Sequence, residues 1–222
     1  MKQTPDSGKM KYQAYIFDLD GTLLDTLTDL AASTNHALRT HDMPEHSIDD
    51  VRRFVGNGVR KLMERAVPGG VGNPLFEQAL ATFREHYTRH GIDTTQPYPG
   101  ILDLLRLLKS SGKKVAVVSN KFDAATKALC HHFFGSLVDV AIGESERVRK
   151  KPAPDTVMEA LRLMDVTKEE AVYIGDSDVD IATARNSGIP CISVTWGFRD
   201  RNFLLDHGAT ILVEKPEDII LL

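Results

Sequence analysis

Two aspartates one residue apart, Asp18 and Asp20, close a short apolar run in the stretch YIFDLDGTLLD, residues 15–25. If extension carries through them they share a face, because side chains alternate along a strand. Two carboxylates held that close repel each other unless a cation or a proton neutralises them. A carboxylate oxygen is a nucleophile that can take up a phosphoryl group covalently, so Asp18 could attack phosphorus. Asp20 could protonate a leaving oxygen and later take a proton from an attacking water. Alone, the same residues also suit a solvated turn before Gly21, since turns favour Asp and Gly.

Groups of matching chemistry recur downstream. Ser119-Asn120 ends the apolar run 114–118, and Lys151 opens Lys151-Pro152-Ala153-Pro154. Gly175-Asp176-Ser177-Asp178-Val179-Asp180 follows the apolar run 171–174. Asp176 with Asp18 offers the hard oxygens that Mg²⁺ prefers, the remaining positions going to water and a substrate phosphate. Ser119, Asn120 and Lys151 offer donors and positive charge to phosphoryl oxygens. Singly, each has a plainer explanation. Ser119-Asn120 could be a turn, Lys151 a solvated member of the basic run 147–151, and Asp176 to Asp180 the cap of a helix. Their joint occurrence, each at the end of an expected strand, favours catalysis.

The elements that must position these residues fall into two grammars. Residues 26–96 carry helical spacing only, with helices expected over 26–40, from Ser47 as N-cap, over 59–66 and over 74–90. From Pro97 onward helices alternate with apolar runs at 114–118, 138–142, 171–174, 191–194 and 210–213, the pattern of a parallel α/β sheet. Ligands of such sheets sit beyond the carboxyl ends of the strands. The expected domains are an α/β catalytic core, 10–25 and 97–222, and an all-helical insert, 26–96.

The 222 residues have a net charge of -4, which gives no reason to expect nucleic acid or an acidic membrane surface as partner. No apolar run approaches a membrane span, and the N-terminus lacks the apolar segment of a signal peptide. Residues 1–9 read as a loose leader. Cys130 and Cys191 show no metal-type spacing and no disulfide framework, which suits a cytoplasmic protein. His86 and His90 stand one helical turn apart with no third ligand nearby in sequence, and read as ordinary helix histidines. Trp196 reads as core packing.

The four motifs, DLDGT at 18–22, SN at 119–120, KP-x-P at 151–154 and GDSDVD at 175–180, resemble those of the haloacid dehalogenase superfamily. The resemblance implies a Rossmann-like core with a helical cap inserted after the first motif. It implies Asp18 as nucleophile and Asp20 as acid/base, the second aspartate favouring phosphatase over dehalogenase chemistry. It further implies a Mg²⁺ ion on the Asp18 side chain, the Asp20 carbonyl and Asp176, with Asp180 behind them orienting water or Lys151. Thr22, Ser119, Asn120 and Lys151 would bind the phosphoryl group. The segment FVGNGVRKLMERA, 54–66, is similar to the cap of bacterial phosphoglycolate phosphatases. Gly56, Asn57 and Gly58 at a helix N-terminus would then offer N–H groups to a substrate carboxylate, with Arg60 a lesser candidate. The expected activity is Mg²⁺-dependent hydrolysis of a small phosphorylated metabolite, foremost 2-phosphoglycolate, by a monomer or homodimer. A phosphosugar mutase, an inorganic pyrophosphatase and an idle interaction module are the alternatives.

Overall fold

The computed structural model describes residues 10–146 and 148–222. The loose leader expected over 1–9 lies outside them, as does Arg147 of the basic run.

The chain divides into two compact units, one containing the described chain up to Leu23 with Pro97–Leu222, the other Leu24–Gln96. The first begins with β1 (Ala14–Phe17), all four residues buried. After the insert come α5 (Ile101–Ser110), β4 (Lys114–Phe122), α6 (Asp123–Phe134), β5 (Val140–Glu144), α7 (Asp155–Met164), β6 (Ala171–Gly175), α8 (Asp178–Ser187), β7 (Cys191–Val194), α9 (Arg201–Asp206) and β8 (Leu212–Val213). The strands form one six-stranded sheet in the order β5-β4-β1-β6-β7-β8. Every pairing is parallel, and Phe17 faces Val117 on one side and Ile174 on the other.

A central parallel strand is covered on both faces, which is why β1 and β6 are apolar throughout rather than alternating. On one face Ala14, Ile16, Ala116, Val118 and Tyr173 pack against Val157, Ala160 and Leu161 of α7 and Ala184 of α8. Helix α5 buries Ile101, Leu104, Leu105 and Leu108, the i, i+3, i+4, i+7 stripe of an amphipathic helix. Truncating the fully buried Leu105 to alanine would cost about 2–5 kcal/mol. Gly188, at φ +70, closes α8 in the left-handed conformation that glycine adopts without steric cost.

The second unit holds β2 (Leu24–Asp25), α1 (Leu27–Thr40), α2 (Ile48–Phe54), α3 (Val59–Ala66), α4 (Phe76–His90) and β3 (Gln96–Pro97, whose last residue belongs to the other unit). β2 and β3 pair with each other, so the chain leaves and returns side by side. α1 packs on α4. Ser47 caps α2 in a reciprocal box with Asp50. Asp29 of α1 closes the unit: its carboxylate accepts both the backbone N–H and the hydroxyl of Thr94 and of Thr95, at 2.6–3.1 Å.

Several expected boundaries shift. The strand expected to stop at Val118 runs on to Phe122, so Ser119 and Asn120 lie within β4, across a register irregularity between Val118 and Phe122. The strand expected over 138–142 begins at Val140, because Asp139 first hooks onto β4. The Asp139 N–H donates to the Val115 carbonyl, and the Asp139 carboxylate accepts from the Val115 N–H, both at 2.8 Å. The last strand is only Leu212–Val213. The C-terminal segment Pro216–Leu221 is a 3₁₀ helix. α9 was not expected; six residues carry too little periodicity to show, though its cap, Asp200 accepting from the Phe203 N–H at 2.9 Å, is ordinary N-cap chemistry.

Candidate active site

The site grows from the carboxyl ends of β1, β4 and β6, which are neighbours in the sheet. β1 extends its ladder by one residue, the Asp18 N–H donating to the Ile174 carbonyl at 2.9 Å. The chain then folds into a tight turn, with Leu23 N–H on the Leu19 carbonyl at 3.0 Å. Gly21 permits this with φ +84, and a Cβ there would come within 2.5 Å of an Asp176 oxygen. The turn sends Asp18 and Asp20 to different partners. β1 ends at Phe17, so the extension on which a shared face would depend does not continue through Asp20.

Asp18, Asp176 and Asp180 each place a carboxylate oxygen within 4.8 Å of the others. Among the described residues this is the one such gathering of acidic, histidine or cysteine ligands. Lys151, with 1% of its side chain exposed, lies in their midst, its Nζ 2.8 Å from Asp18 Oδ1 and 2.9 Å from Asp180 Oδ1. It also meets the Tyr173 hydroxyl at 3.1 Å. Asp180 is spent on holding this lysine: its Oδ1 accepts from Lys151 and Tyr173, its Oδ2 from the N–H and hydroxyl of Ser177.

Thr22, expected to bind substrate, is fully buried, and its hydroxyl donates to Asp176 Oδ1 at 2.9 Å. The Phe198 N–H donates to Asp176 Oδ2 at 2.8 Å. Both orient the carboxylate of Asp176. Phe198 follows β7, and nothing in its local sequence announced a role. Trp196, expected in the core, is half-buried and donates its indole N–H to the Thr22 carbonyl at 3.0 Å, bracing the same turn. Gly197 between them is obligatory, because a Cβ there would collide with Asp176 and with the Gly21 carbonyl.

From β4, the Asn120 amide donates to the Lys151 carbonyl at 3.1 Å, tying the second and third motifs together. Ser119, buried, accepts from the Lys121 N–H at 3.2 Å. Lys121, a residue the motif reading passed over, donates from Nζ to Asp20 Oδ2 at 3.1 Å. The other oxygen of Asp20 is buried and has no hydrogen-bond partner among the described residues.

Electrostatics follow from the count of charges. Burial and then the neighbouring Asp180 push the Asp18 carboxyl well above the ordinary carboxylate range, against the pull of Lys151. Burial and Asp180 likewise push Asp176 up to about 7, despite its bonds from Phe198 and Thr22. Burial opposes the charge on Lys151, but Asp18 and Asp180 outweigh it and hold the ammonium protonated. One buried ammonium among three carboxylates, two of them buried and Asp18 nearly so, leaves negative charge uncompensated. Hard oxygen donors in that state suit a divalent cation of the Mg²⁺ type, so the donor set fits the expected metal. Cys130 and Cys191 are free, and burial pushes both thiols up to about 12, out of nucleophilic range.

The helical unit holds the remaining candidates. Gly58, at φ +83, is the N-cap residue of α3 and Gly56 has φ +123, while the Asn57 side-chain oxygen Oδ1 accepts from Arg65 at 2.8 Å. Arg60, the lesser candidate, is engaged by Glu77 at 2.6 Å. His36 of α1 stacks on His86 at 4.1 Å, giving the histidine pair a third ring that sequence spacing could not show.

The comparison with known proteins agrees with this geometry. Residues 15–194 match the family model of the haloacid dehalogenase-like hydrolases. The phosphoglycolate phosphatase of Pseudomonas putida is 34% identical over 211 residues, spanning 92% of this chain and 75% of its own. That of Aquifex aeolicus is 31% identical over 208 residues, spanning 93% and 94%. Among solved structures, a candidate phosphoglycolate phosphatase from Lactobacillus delbrueckii subsp. bulgaricus is 38% identical. It superposes with a TM-score of 0.92, over 96% of this chain and 99% of that one. The chain belongs to the haloacid dehalogenase-like hydrolases. Within them it is a phosphatase, the activity its relatives' names share.

Proposed function

We propose that the protein is a Mg²⁺-dependent phosphomonoester hydrolase that works through a phospho-aspartate, with 2-phosphoglycolate as substrate. The observation that carries this is the separation of the two aspartates by one turn. Asp18 lies against the ammonium of Lys151, and Asp20 lies on Lys121, with one carboxylate oxygen unpartnered among the described residues.

Asp18 attacks phosphorus through a carboxylate oxygen, forming an acyl phosphate as the bond to the leaving oxygen breaks. Asp20 delivers a proton to that oxygen, and glycolate departs. Asp20 then takes a proton from a water that attacks the same phosphorus, the acyl–phosphate bond breaks, and Asp18 is regenerated with release of inorganic phosphate. Lys151, Ser119 and Asn120 hold the phosphoryl oxygens where charge spreads in the transition state. A Mg²⁺ ion held by Asp18, Asp176 and the Asp20 carbonyl would supply the positive charge that lets an anionic nucleophile approach an anionic phosphate. Asp180 keeps Lys151 aimed at the site. The domain roles proposed are a catalytic core, 10–25 and 97–222, and a cap, 26–96, whose turn Gly56-Asn57-Gly58 offers N–H groups to the substrate's second anion. Free Cys130, buried, and free Cys191, partly buried, suit a reducing compartment such as the cytoplasm. Among the described residues no helix is long and apolar enough to cross a membrane.

The test is steady-state hydrolysis across a panel of phosphomonoesters with and without Mg²⁺, for wild type and Asp18→Asn. We expect 2-phosphoglycolate to give the highest kcat/KM and the variant to show no turnover. Wild-type rates in Asp18→Asn would overturn the mechanism, and a requirement for a sugar bisphosphate would overturn the assignment as a hydrolase.

A further inference from the structure

Lys121 directly follows the serine-asparagine pair of β4, and only 5% of its side chain is exposed. Its ammonium lies 3.1 Å from Oδ2 of Asp20. A buried charge is tolerated only among opposite charges and hydrogen-bond acceptors, so this cation has a fixed place beside the proposed acid/base. Asp20 meets the leaving oxygen at hydrogen-bond distance, about 3 Å. The Lys121 ammonium therefore stands within about 8 Å of that oxygen, across the Asp20 carboxylate, on the leaving-group side of the reacting phosphorus.

In 2-phosphoglycolate the carboxylate is carried by the carbon attached to the leaving oxygen, so it reaches the same region. The opposite side is closed to it. There Asp18, Asp176 and Asp180 crowd together, and their one ammonium, Lys151, is already held by Asp18 and Asp180. A second substrate anion would be repelled from that cluster and drawn to Lys121.

We propose that Lys121 determines specificity by binding the carboxylate of the substrate's leaving group, selecting phosphomonoesters whose alcohol bears a carboxylate on the adjacent carbon. The inference rests on the phosphoglycolate reading above, and it gives the core a contact of its own with the second anion. The carboxylate shares the ammonium with Asp20, so recognition of the leaving group and placement of the acid/base fall to one residue.

The test compares 2-phosphoglycolate with 2-hydroxyethyl phosphate, which has the same chain without the carboxylate, in wild type, Lys121→Met and Lys121→Arg. Wild type should prefer 2-phosphoglycolate in kcat/KM, and Lys121→Met should lower that preference about 10- to 150-fold, the size of a hydrogen bond between charged groups. Lys121→Arg should keep most of it. If Lys121→Met slows both substrates equally, Lys121 serves only to place Asp20 and the inference fails. If wild type itself shows no preference, the phosphoglycolate reading fails first and takes the inference with it. A wild-type series with the carboxylate moved outward by one methylene, as in the phosphate ester of 3-hydroxypropionate, checks the reach without any variant. Undiminished preference there would also overturn the assignment.

Discussion

The ammonium of Lys151 lies 2.8 Å from Oδ1 of Asp18, with 1% and 14% of the two side chains exposed. The contact sets the position of the proposed nucleophile and offsets part of its charge. Removing the cation leaves Asp18 and Asp180 buried with no positive partner between them. Lys151→Met should therefore lose about 3–5 kcal/mol of stability, read from urea unfolding, together with nearly all turnover. Adding Asp180→Asn to that variant should restore part of the stability and none of the activity.

Asp176 is held by the Thr22 hydroxyl and the Phe198 N–H in a space that admits no extra carbon. Gly21→Ala places a Cβ 2.5 Å from its carboxylate, at a φ of +84. The backbone strain alone should cost about 1–3 kcal/mol. Titration calorimetry should show Mg²⁺ affinity at least about tenfold weaker, a fall of 1.4 kcal/mol in binding. Unchanged affinity would show that Asp176 is not a ligand.

Chelation by EDTA should abolish turnover, and added Mg²⁺ should restore it. An ion that binds only the folded chain also stabilises it, by about 2.7 kcal/mol at a hundredfold excess over Kd. Thermal melts should therefore rise with Mg²⁺ in wild type and rise much less in Asp176→Asn.

Asp29 supplies a pH dependence remote from the chemistry. Burial alone would raise its carboxyl, but the bonds from Thr94 and Thr95 outweigh that and hold it below the usual carboxylate range. Its contribution is therefore complete above the unfolded value of about 3.9 and is lost as pH falls through the lower folded value. Asp29→Asn should weaken stability at pH 7 and flatten the acid limb of the unfolding profile. An unchanged acid limb would show that the clasp is not a source of acid sensitivity.

Much of this was open to a reader of the chain. The runs that became β1, β6 and β7 are apolar because both faces are covered, and burial of that kind leaves a mark on composition. Asp18, Lys151, Asp176 and Asp180 stand near strand ends in sequence and meet in space because parallel strands bring their carboxyl ends to one rim. Relations between side chains were harder to foresee. Lys121 and Asp20 are 101 positions apart, and only strand register brings them together. The division of labour between Asp18 and Asp20 depends on a turn whose hydrogen bonds no spacing rule specifies. Thr22 acts through its hydroxyl and Phe198 through its backbone N–H, both on Asp176, while Trp196 donates its indole N–H to the Thr22 carbonyl, and no spacing in the sequence specifies these pairings.

The side-by-side exit and return of the chain at β2 and β3 has a consequence for how such enzymes diversify. A segment that leaves and re-enters at adjacent points can be exchanged as a cassette, its two ends meeting one constant pair of joints. Residues 24–96 of one relative could be grafted between Leu23 and Pro97 of another without redrawing the sheet or moving Asp18. Under the proposed division of roles, substrate range would then change by recombination in one step, while the reaction performed on phosphorus stayed as it was.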